Sequence, residues 1–237
     1  MLKNLLILVL LFVAQLAHAG ENLFENNYQP QKNGGLQSQM VNPDTKMYVS
    51  NHKDEDNINM LEDGYDLMGT SDFEAGNIAP EQALQHAKNI KADAVLVYSK
   101  YASKQMELSK IQAIKQAAKT THEVDESVLK QDETQYKYFA SYWAKMPMPL
   151  LGLHVIKLKP VDAEPENGLK VLAVIKDSPA AKANLQRGDV LLKIGEIAVQ
   201  KPEELAIAVL KYQGKAVEIG YERDGQPAST QATLNSR

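Results

Sequence analysis

The sequence contains no cysteine among its 237 residues. A disulfide framework, a thiolate metal site and a lipid-attachment cysteine are therefore excluded. The histidines beyond residue 19 are scattered through the chain without the spacing of metal ligands. They are His52, His86, His122 and His154. We expect no metal site and no cofactor.

One acidic run imitates a calcium-binding loop without completing it. Residues 54–57 are Asp-Glu-Asp-Asn, but Ile58 stands where an oxygen ligand is needed at the fifth position. No glycine follows at the sixth position, where such a loop must turn sharply. We therefore interpret this charged stretch as a solvated loop.

An excess of positive charge is also lacking. The chain has 26 Lys and Arg against 30 Asp and Glu, which gives a net charge of -4. Without a basic stripe interleaved with aromatic residues, we expect no nucleic-acid partner. Beyond residue 19 no apolar run approaches the length of a membrane span. We therefore expect no membrane span once the first 19 residues are removed.

Residues 1–19 have the three parts of an export signal. Lys3 supplies the positive start, residues 5–16 form a short apolar run, and residues 17–19 (Ala-His-Ala) form a small-x-small cleavage site. The apolar run is too short to span a bilayer comfortably. We predict a signal peptide cleaved near Ala19/Gly20 and a periplasmic or secreted protein. An uncleaved membrane anchor is the alternative.

The composition of the remaining chain indicates three parts. Residues 20–44 are rich in Asn, Gln and Gly and poor in apolar residues. This composition predicts a flexible leader, because too little apolar surface is available to offset the entropy of ordering it. Residues 45–145 predict a small α/β domain. Residues 146–237 predict a second domain of about a hundred residues.

The predicted α/β domain begins with strands at residues 46–50 and 65–70. Pro80 and Glu81 then open a helix, since proline suits the first turn and glutamate the positive end of the helix dipole. Apolar residues of this helix recur at intervals of three and four, so that one face packs.

Two further strands complete the predicted domain. The apolar run 92–99 is typical of a buried central strand. The aromatic run 135–145 predicts another strand, and its alternating tyrosines favour cross-strand packing over a ligand-binding platform. Between them, residues 103–132 are polar with partial helical spacing, which indicates an inserted segment.

Residues 177–195 carry the most informative motif. They are Asp-Ser-Pro-Ala-Ala-Lys-Ala-Asn-Leu-Gln-Arg-Gly-Asp-Val-Leu-Leu-Lys-Ile-Gly. A strand over residues 168–176 stops at the Ser-Pro pair, a short helical turn follows, and the Gly-Asp pair opens another apolar strand. Downstream, a helix over residues 202–212 precedes a hairpin formed by residues 217–223 and 228–234.

This order of elements, preceded by the apolar-Gly-apolar stretch 150–155, resembles a bacterial PDZ domain like those of periplasmic trypsin-like proteases. The resemblance implies an α+β fold, in which a small α/β sheet domain precedes a partly open β-barrel with two helices. Asn184 stands where the family usually has Gly, and Gly195-Glu196 replaces the usual Asn-Gly turn. These departures concern local geometry more than the fold. The blocks 64–73, 87–98 and 138–145 resemble exported bacterial proteins with such an architecture, and they imply no activity.

The resemblance also implies a peptide-binding groove. Backbone N–H groups around Gly152 would hold a terminal carboxylate, and the strand from Leu153 would pair with an extended peptide. The last side chain of the ligand would enter an apolar pocket. For Leu205 and Val209, packing in the core is an equal alternative. The candidate peptide-binding residues are Leu151, Gly152, Leu153, His154, Val155, Leu205, Val209 and Tyr212.

We therefore expect a non-enzymatic peptide-binding or scaffolding protein of the bacterial envelope, whose partners are C-termini or extended peptides of envelope proteins. The alternative is a regulatory or substrate-delivery partner of a separate envelope protease. A trypsin-like catalytic domain would need about twice the length available before the PDZ-like region. Ser71 lies outside the usual nucleophile motifs, and neither His52 nor His86 has an evident partner.

The export signal yields the first prediction. Because residues 17–19 form a small-x-small site, mass spectrometry of the protein recovered from the periplasm or medium should show a chain that starts at Gly20. Recovery of the intact chain, still beginning at Met1 and embedded in membrane, would contradict both the cleavage and the localisation.

Overall fold

The structure is a computed structural model that describes residues 21–32, 36–101, 136–157 and 167–236, together with residues 112, 115, 116 and 119. Within these residues the chain forms two compact units. The first contains residues 21–32, Thr45–Asn51 and the described part of Gly69–Tyr142. The second contains residues 36–44, His52–Met68 and the described part of Trp143–Arg237.

The described chain forms five helices and eleven strands. The helices are α1 (Leu23–Asn26), α2 (Lys53–Glu62), α3 (Glu81–Asn89), α4 (Pro179–Lys182) and α5 (Pro202–Lys211). The strands are β1 (Tyr28–Pro30), β2 (Lys46–Ser50), β3 (Tyr65–Ala75), β4 (Ala94–Tyr101), β5 (Tyr136–Lys145), β6 (Leu153–Ile156), β7 (Leu169–Val174), β8 (Val190–Ile194), β9 (Ile197–Ala198), β10 (Ala216–Arg223) and β11 (Gln226–Thr233).

The first sheet has the strand order β1-β3-β5-β4-β2, with β2 and β4 parallel. Its central strands β4 and β5 are buried over most of their length, as the apolar run of β4 predicts. Helix α3 buries Ala83, His86 and Ala87, which lie on one helical face. The predicted insertion at 103–132 lies outside the described residues, apart from four helical positions.

Part of the predicted flexible leader is ordered. Asn22 caps α1 by accepting hydrogen bonds from Phe24 N and Glu25 N, and its side-chain amide donates to Gln82 O at 2.8 Å. Phe24 is fully buried, with its ring 4.9 Å from that of Phe73. Strand β1 then pairs antiparallel with β3. The average composition of this segment is polar, so it does not reveal its two large apolar side chains. It also does not reveal the hydrogen bonds that the edge of β3 offers to the backbone of β1.

The acidic stretch interpreted as a solvated loop is also different in the structure, where it forms helix α2. Asp54, Glu55 and Asp56 occupy its first turn, a position in which negative charge stabilises the helix dipole. Met60 is buried in its last turn. The solvated-loop interpretation is therefore wrong, because these acidic residues mark the beginning of a helix.

The second sheet has the order β11-β10-β8-β7-β6, and β9 pairs with β8. Its antiparallel strands, with α4 and α5, enclose an apolar core that includes Leu169, Leu191 and Ile219, all fully buried. The predicted strands, helical turn, helix and closing hairpin of this region are present. The α+β fold class, with a small sheet domain before a second sheet that packs against two helices, is confirmed.

One carboxylate anchors the loop between α4 and β8. Asp189 is 2% exposed and accepts two hydrogen bonds from Arg223, at 2.7 Å from Nε and 2.8 Å from Nη2. The same carboxylate accepts from Gln186 N at 2.8 Å. Hydrogen bonding to Asp189 raises the pKa of Arg223. The bidentate pair compensates a buried charge and joins the loop to β10.

The packing of Phe24 predicts a large stability cost on truncation. Phe24→Ala should lower the free energy of unfolding by about 3–5 kcal/mol, because it removes a fully buried ring. Urea denaturation followed by far-ultraviolet circular dichroism measures this change. Tyr48→Ala is the control: Tyr48 is 49% exposed on β2, and its loss should cost about 0.5 kcal/mol or less. Equal effects of the two substitutions would contradict the docking of α1.

The buried His86 predicts a pH dependence of stability. Its ring is 4% exposed, both nitrogens are buried without a hydrogen-bond partner, and the rings of Tyr28 and Tyr142 lie 4.7 and 5.1 Å away. Burial lowers the pKa of His86, an effect that Glu25 partly opposes. As the pH falls, His86 of the unfolded chain therefore binds a proton before His86 of the folded protein does, at a pH of about 6.5. The stability contribution of neutral His86 is complete above that pH and is lost as the pH falls towards its folded pKa.

The measurement is the free energy of unfolding at pH about 7.5 and about 5, on either side of the unfolded pKa. The parent should lose more stability over this range than His86→Leu, which cannot titrate. Identical pH profiles of parent and variant would show that His86 is not kept neutral by the fold.

Candidate functional site

A largely apolar cleft in the second unit lies between β6 and α5. Its volume is about 480 Å³. Six of the eight predicted site residues line it. They are Leu151, Gly152, Leu153, His154, Leu205 and Val209. The cleft therefore lies where the sequence placed the groove, between a strand and the helix that follows Pro202.

Strand β6 forms one border of the second sheet. It pairs with β7 alone in the strand order, with Leu153 opposite Val174 and a register shift after His154. No strand within the described ranges pairs with its other edge. An open edge of this kind can accept an extended strand through main-chain hydrogen bonds.

The loop before β6 has a conformation that requires glycine. Gly152 has a φ of +91°, and a Cβ atom there would lie 2.2 Å from Cβ of Ser178. Ser178 itself accepts a hydrogen bond from Ala181 N and so caps α4. A side chain at residue 152 would therefore displace the helix cap as well as strain the backbone.

The same loop directs its carbonyl groups inward. Leu151 O accepts from Ala180 N at 2.9 Å, and Gly152 O accepts from Ile175 N at 3.0 Å. None of the hydrogen bonds among the described residues uses the amide N–H of Leu151 or Gly152 as its donor. Backbone N–H groups that converge without an acceptor form a concave site for an anion.

The apolar walls of the cleft also belong to the core. Leu151 and Leu205 are buried members of the core cluster, and Leu153 and Val209 are partly buried against it. Leu205 therefore packs in the core and lines the cleft at the same time, because its position on α5 faces both the core and the cleft.

Two predicted site residues do not line the cleft. Val155 pairs with Val171 and packs against the core. Tyr212 follows the last residue of α5, and its hydroxyl accepts from Glu196 N at 3.2 Å. A Cβ atom at Gly195 would lie 2.5 Å from its ring. Helical spacing placed Tyr212 on the groove face, but its ring instead covers the turn between β8 and β9.

The sequence interpretation missed one wall of the cleft. Residues 64–66 and 146–149 also line it. Met146 N donates to Gly64 O at 3.0 Å, and Lys176 N donates to Glu62 O at 2.8 Å, so the end of α2 is held against the end of β7. Only these long-range contacts bring residues 64–66 to the groove, and no local sequence signal indicates them.

His154 lies beside this additional wall. Its Nε2 atom is buried without a hydrogen-bond partner. Burial lowers the pKa of His154, and the charge of Asp66 partly opposes that shift. His154 and Asp66 line the same cleft, although the chain carries them on separate segments.

Ser71, the serine considered for catalysis, has structural partners. Ser71 is fully buried, and its hydroxyl donates to Phe24 O at 2.6 Å. Its Oγ also lies 3.2 Å from the hydroxyl of Tyr142, whose pKa burial raises. A serine in this setting joins α1 to the sheet. In the described ranges, no group of three or more His, Asp or Glu side chains is arranged to hold a metal ion.

No helix within the described residues is long and apolar enough to cross a membrane.

Comparisons with known proteins agree with the geometry of the second unit. The family model described as PDZ domain matches residues 149–234. The zinc metalloprotease RasP of Shouchella clausii is 42% identical over 60 residues, which are 25% of this chain and 14% of the relative. The serine protease Do-like HtrA of Lactococcus lactis subsp. cremoris is 29% identical over 102 residues, which are 38% of this chain and 25% of the relative.

Solved structures give partial matches of the same extent. The HtrA-type protease AlgW with a decapeptide is 27% identical, with a TM-score of 0.34, and the match covers 38% of this chain and 30% of that one. The HtrA3 PDZ domain bound to a phage-derived ligand is 20% identical, with a TM-score of 0.33, covering 37% of this chain and 85% of that domain. The chain thus spans a small part of the proteases that it matches. Residues 149–234 are a PDZ domain that resembles those of HtrA-type proteases.

Proposed function

We propose that this protein binds the C-termini of other polypeptides, or extended peptides, in the groove between β6 and α5. The observation that carries the proposal is the loop at residues 150–152. Its carbonyls are engaged inward while the amide groups of Leu151 and Gly152 have no acceptor among the described residues. A terminal carboxylate supplies the missing acceptor.

Two other features fit the same ligand. The open edge of β6 offers main-chain groups to an extended chain, and the apolar cleft beside Leu153 and Val209 offers space for its last side chain. A peptide bound in this way adds a strand to the sheet. Main-chain pairing then supplies affinity, and the cleft supplies selectivity for an apolar C-terminal residue.

The groove acts in a non-enzymatic binding or scaffolding protein of the bacterial envelope. The export signal predicted at residues 1–19 supports the compartment. The buried setting of Ser71 supports a structural role for that residue rather than a nucleophilic one.

A second candidate is a regulatory or substrate-delivery partner of a separate envelope protease. The similarity of residues 149–234 to PDZ domains within proteases favours it. Affinity purification of the exported protein from its own cells distinguishes the two candidates. Recovery of a protease in stoichiometric amount supports the second, and recovery of other envelope proteins supports the first.

The groove is tested by titrating an alanine-rich peptide that ends in valine, as the free acid and as the amide. The free acid should bind more tightly by about 1.5–3 kcal/mol, because only a carboxylate makes charge-assisted hydrogen bonds with the loop amides. Equal affinities of acid and amide would show that the loop does not bind a carboxylate.

A pair of variants locates the binding surface. Ala206 lines the cleft and is exposed, whereas its neighbour Ile207 is 60% exposed and does not line it. Ala206→Glu should weaken binding by about 1 kcal/mol or more, since it narrows the groove and repels the carboxylate, while Ile207→Glu should leave it unchanged. We prefer this pair to Gly152→Val, because a side chain at residue 152 would also displace Ser178.

A further inference from the structure

One wall of the groove comes from outside the PDZ domain. Residues 64–66, at the beginning of β3, line the cleft although the family match begins at residue 149. Backbone hydrogen bonds hold this segment in place, from Met146 N to Gly64 O at 3.0 Å and from Lys176 N to Glu62 O at 2.8 Å. The groove therefore has a component that a PDZ domain alone does not supply.

This wall brings a negative charge to the cleft. Asp66 is the one acidic residue that lines it among the described residues, and no lysine or arginine of the described chain lines it. Asp66 Oδ1 accepts from Leu67 N at 2.9 Å. None of the ion pairs in the described part of the chain includes Asp66.

Two lysines of the same region bind Asp63, one through its carboxylate and the other through its main-chain carbonyl. Lys176 Nζ lies 2.5 Å from Asp63 Oδ1. Lys145 Nζ donates to Asp63 O and lies 4.6 Å from the centre of the Tyr65 ring. Asp63 thus fastens the segment to the rest of the unit, while Asp66 lines the cleft.

Strand geometry indicates which ligand residue meets this charge. Side chains alternate between the two faces of a sheet, and directly opposed residues of paired strands share a face. In a peptide added to the edge of β6, the last residue shares the face of Leu153, and the penultimate residue shares the face of His154. Asp66 and His154 line the same cleft, which places Asp66 among the groups that the penultimate residue meets.

We propose that the groove prefers peptides with lysine or arginine at the penultimate position, recognised by the carboxylate of Asp66. This preference rests on the proposed function, since it requires a C-terminus in the carboxylate loop. A cation at that position supplies the charge partner that Asp66 lacks. Asp66 is then a specificity-determining residue contributed by the segment before the PDZ domain.

The test compares three N-acetylated free-acid peptides, identical alanine-rich sequences ending in Lys-Val, Ala-Val and Glu-Val. They are titrated against the protein without residues 1–19, at low and at high salt. The lysine peptide should bind about three- to tenfold more tightly than the glutamate peptide at low salt, because the peptide charge changes by two units beside a partly exposed carboxylate. The ratio should shrink at high salt.

Two variants assign the preference to one residue. Asp66→Asn is nearly isosteric and should bring the lysine-to-glutamate ratio close to one. Asp54→Asn makes the same chemical change at an exposed position in the first turn of α2, and should keep the full ratio.

The outcomes separate this preference from the proposed function. If the peptides bind equally, or if Asp66→Asn keeps the parent's preference, the role of Asp66 is overturned and the carboxylate loop is not. If no free-acid peptide binds at all, the proposed function fails, and the preference fails with it.

Discussion

The site depends on the two inward hydrogen bonds of the loop before β6. Ala180 N and Ile175 N bind the carbonyl groups of Leu151 and Gly152, so the loop is fixed between the end of β7 and the first turn of α4. Since the C=O and N–H of one trans peptide group point in opposite directions, holding the carbonyls of Leu151 and Gly152 inward turns the amides of Gly152 and Leu153 away from those partners. Their orientation is set by the fold before any ligand arrives, which reduces the entropy that binding would cost.

The two sheets differ at one edge each. In the first, β1 pairs with β3 and so covers an edge with a segment of the same chain, held by the buried ring of Phe24. In the second, β6 is left uncovered and is only four residues long. A short edge strand limits indiscriminate pairing. At β6 the open edge lies beside the carboxylate loop and the cleft, which select what pairs with it.

Sequence patterns predicted the PDZ domain well because its elements are punctuated by residues with strict backbone roles. Gly152, Pro179 and Gly188 each fix a turn, and the strand, helix and hairpin between them follow from local periodicity. Six of the eight predicted site residues accordingly line the cleft. The predicted position of Tyr212 differs from the structure. Helical spacing gives the place of a residue around the helix axis, but it does not determine in which direction a side chain at the end of the helix turns.

Features that depend on long-range contacts were not predictable in this way. The order of residues 22–30 depends on the aromatic pocket around Phe73 and on the free edge of β3, neither of which is local to that segment. The wall at residues 64–66 depends on the docking of α2. Most of the first unit's sequence separates this helix from the PDZ domain along the chain. The average composition of a sequence window does not identify either of these two features.

The docking of α2 onto β7 means that the domain defined by sequence similarity and the part of the chain that forms the binding site have different boundaries. A fragment cut at residue 149 would lose the carbonyl that Lys176 N binds and the carboxylate that pairs with Lys176 Nζ. Ile175, whose side chain lies near Gly64, would be newly exposed. Such a fragment would have a wider groove of different charge than the whole chain. Ligands selected for binding to the fragment would therefore be selected for a different groove.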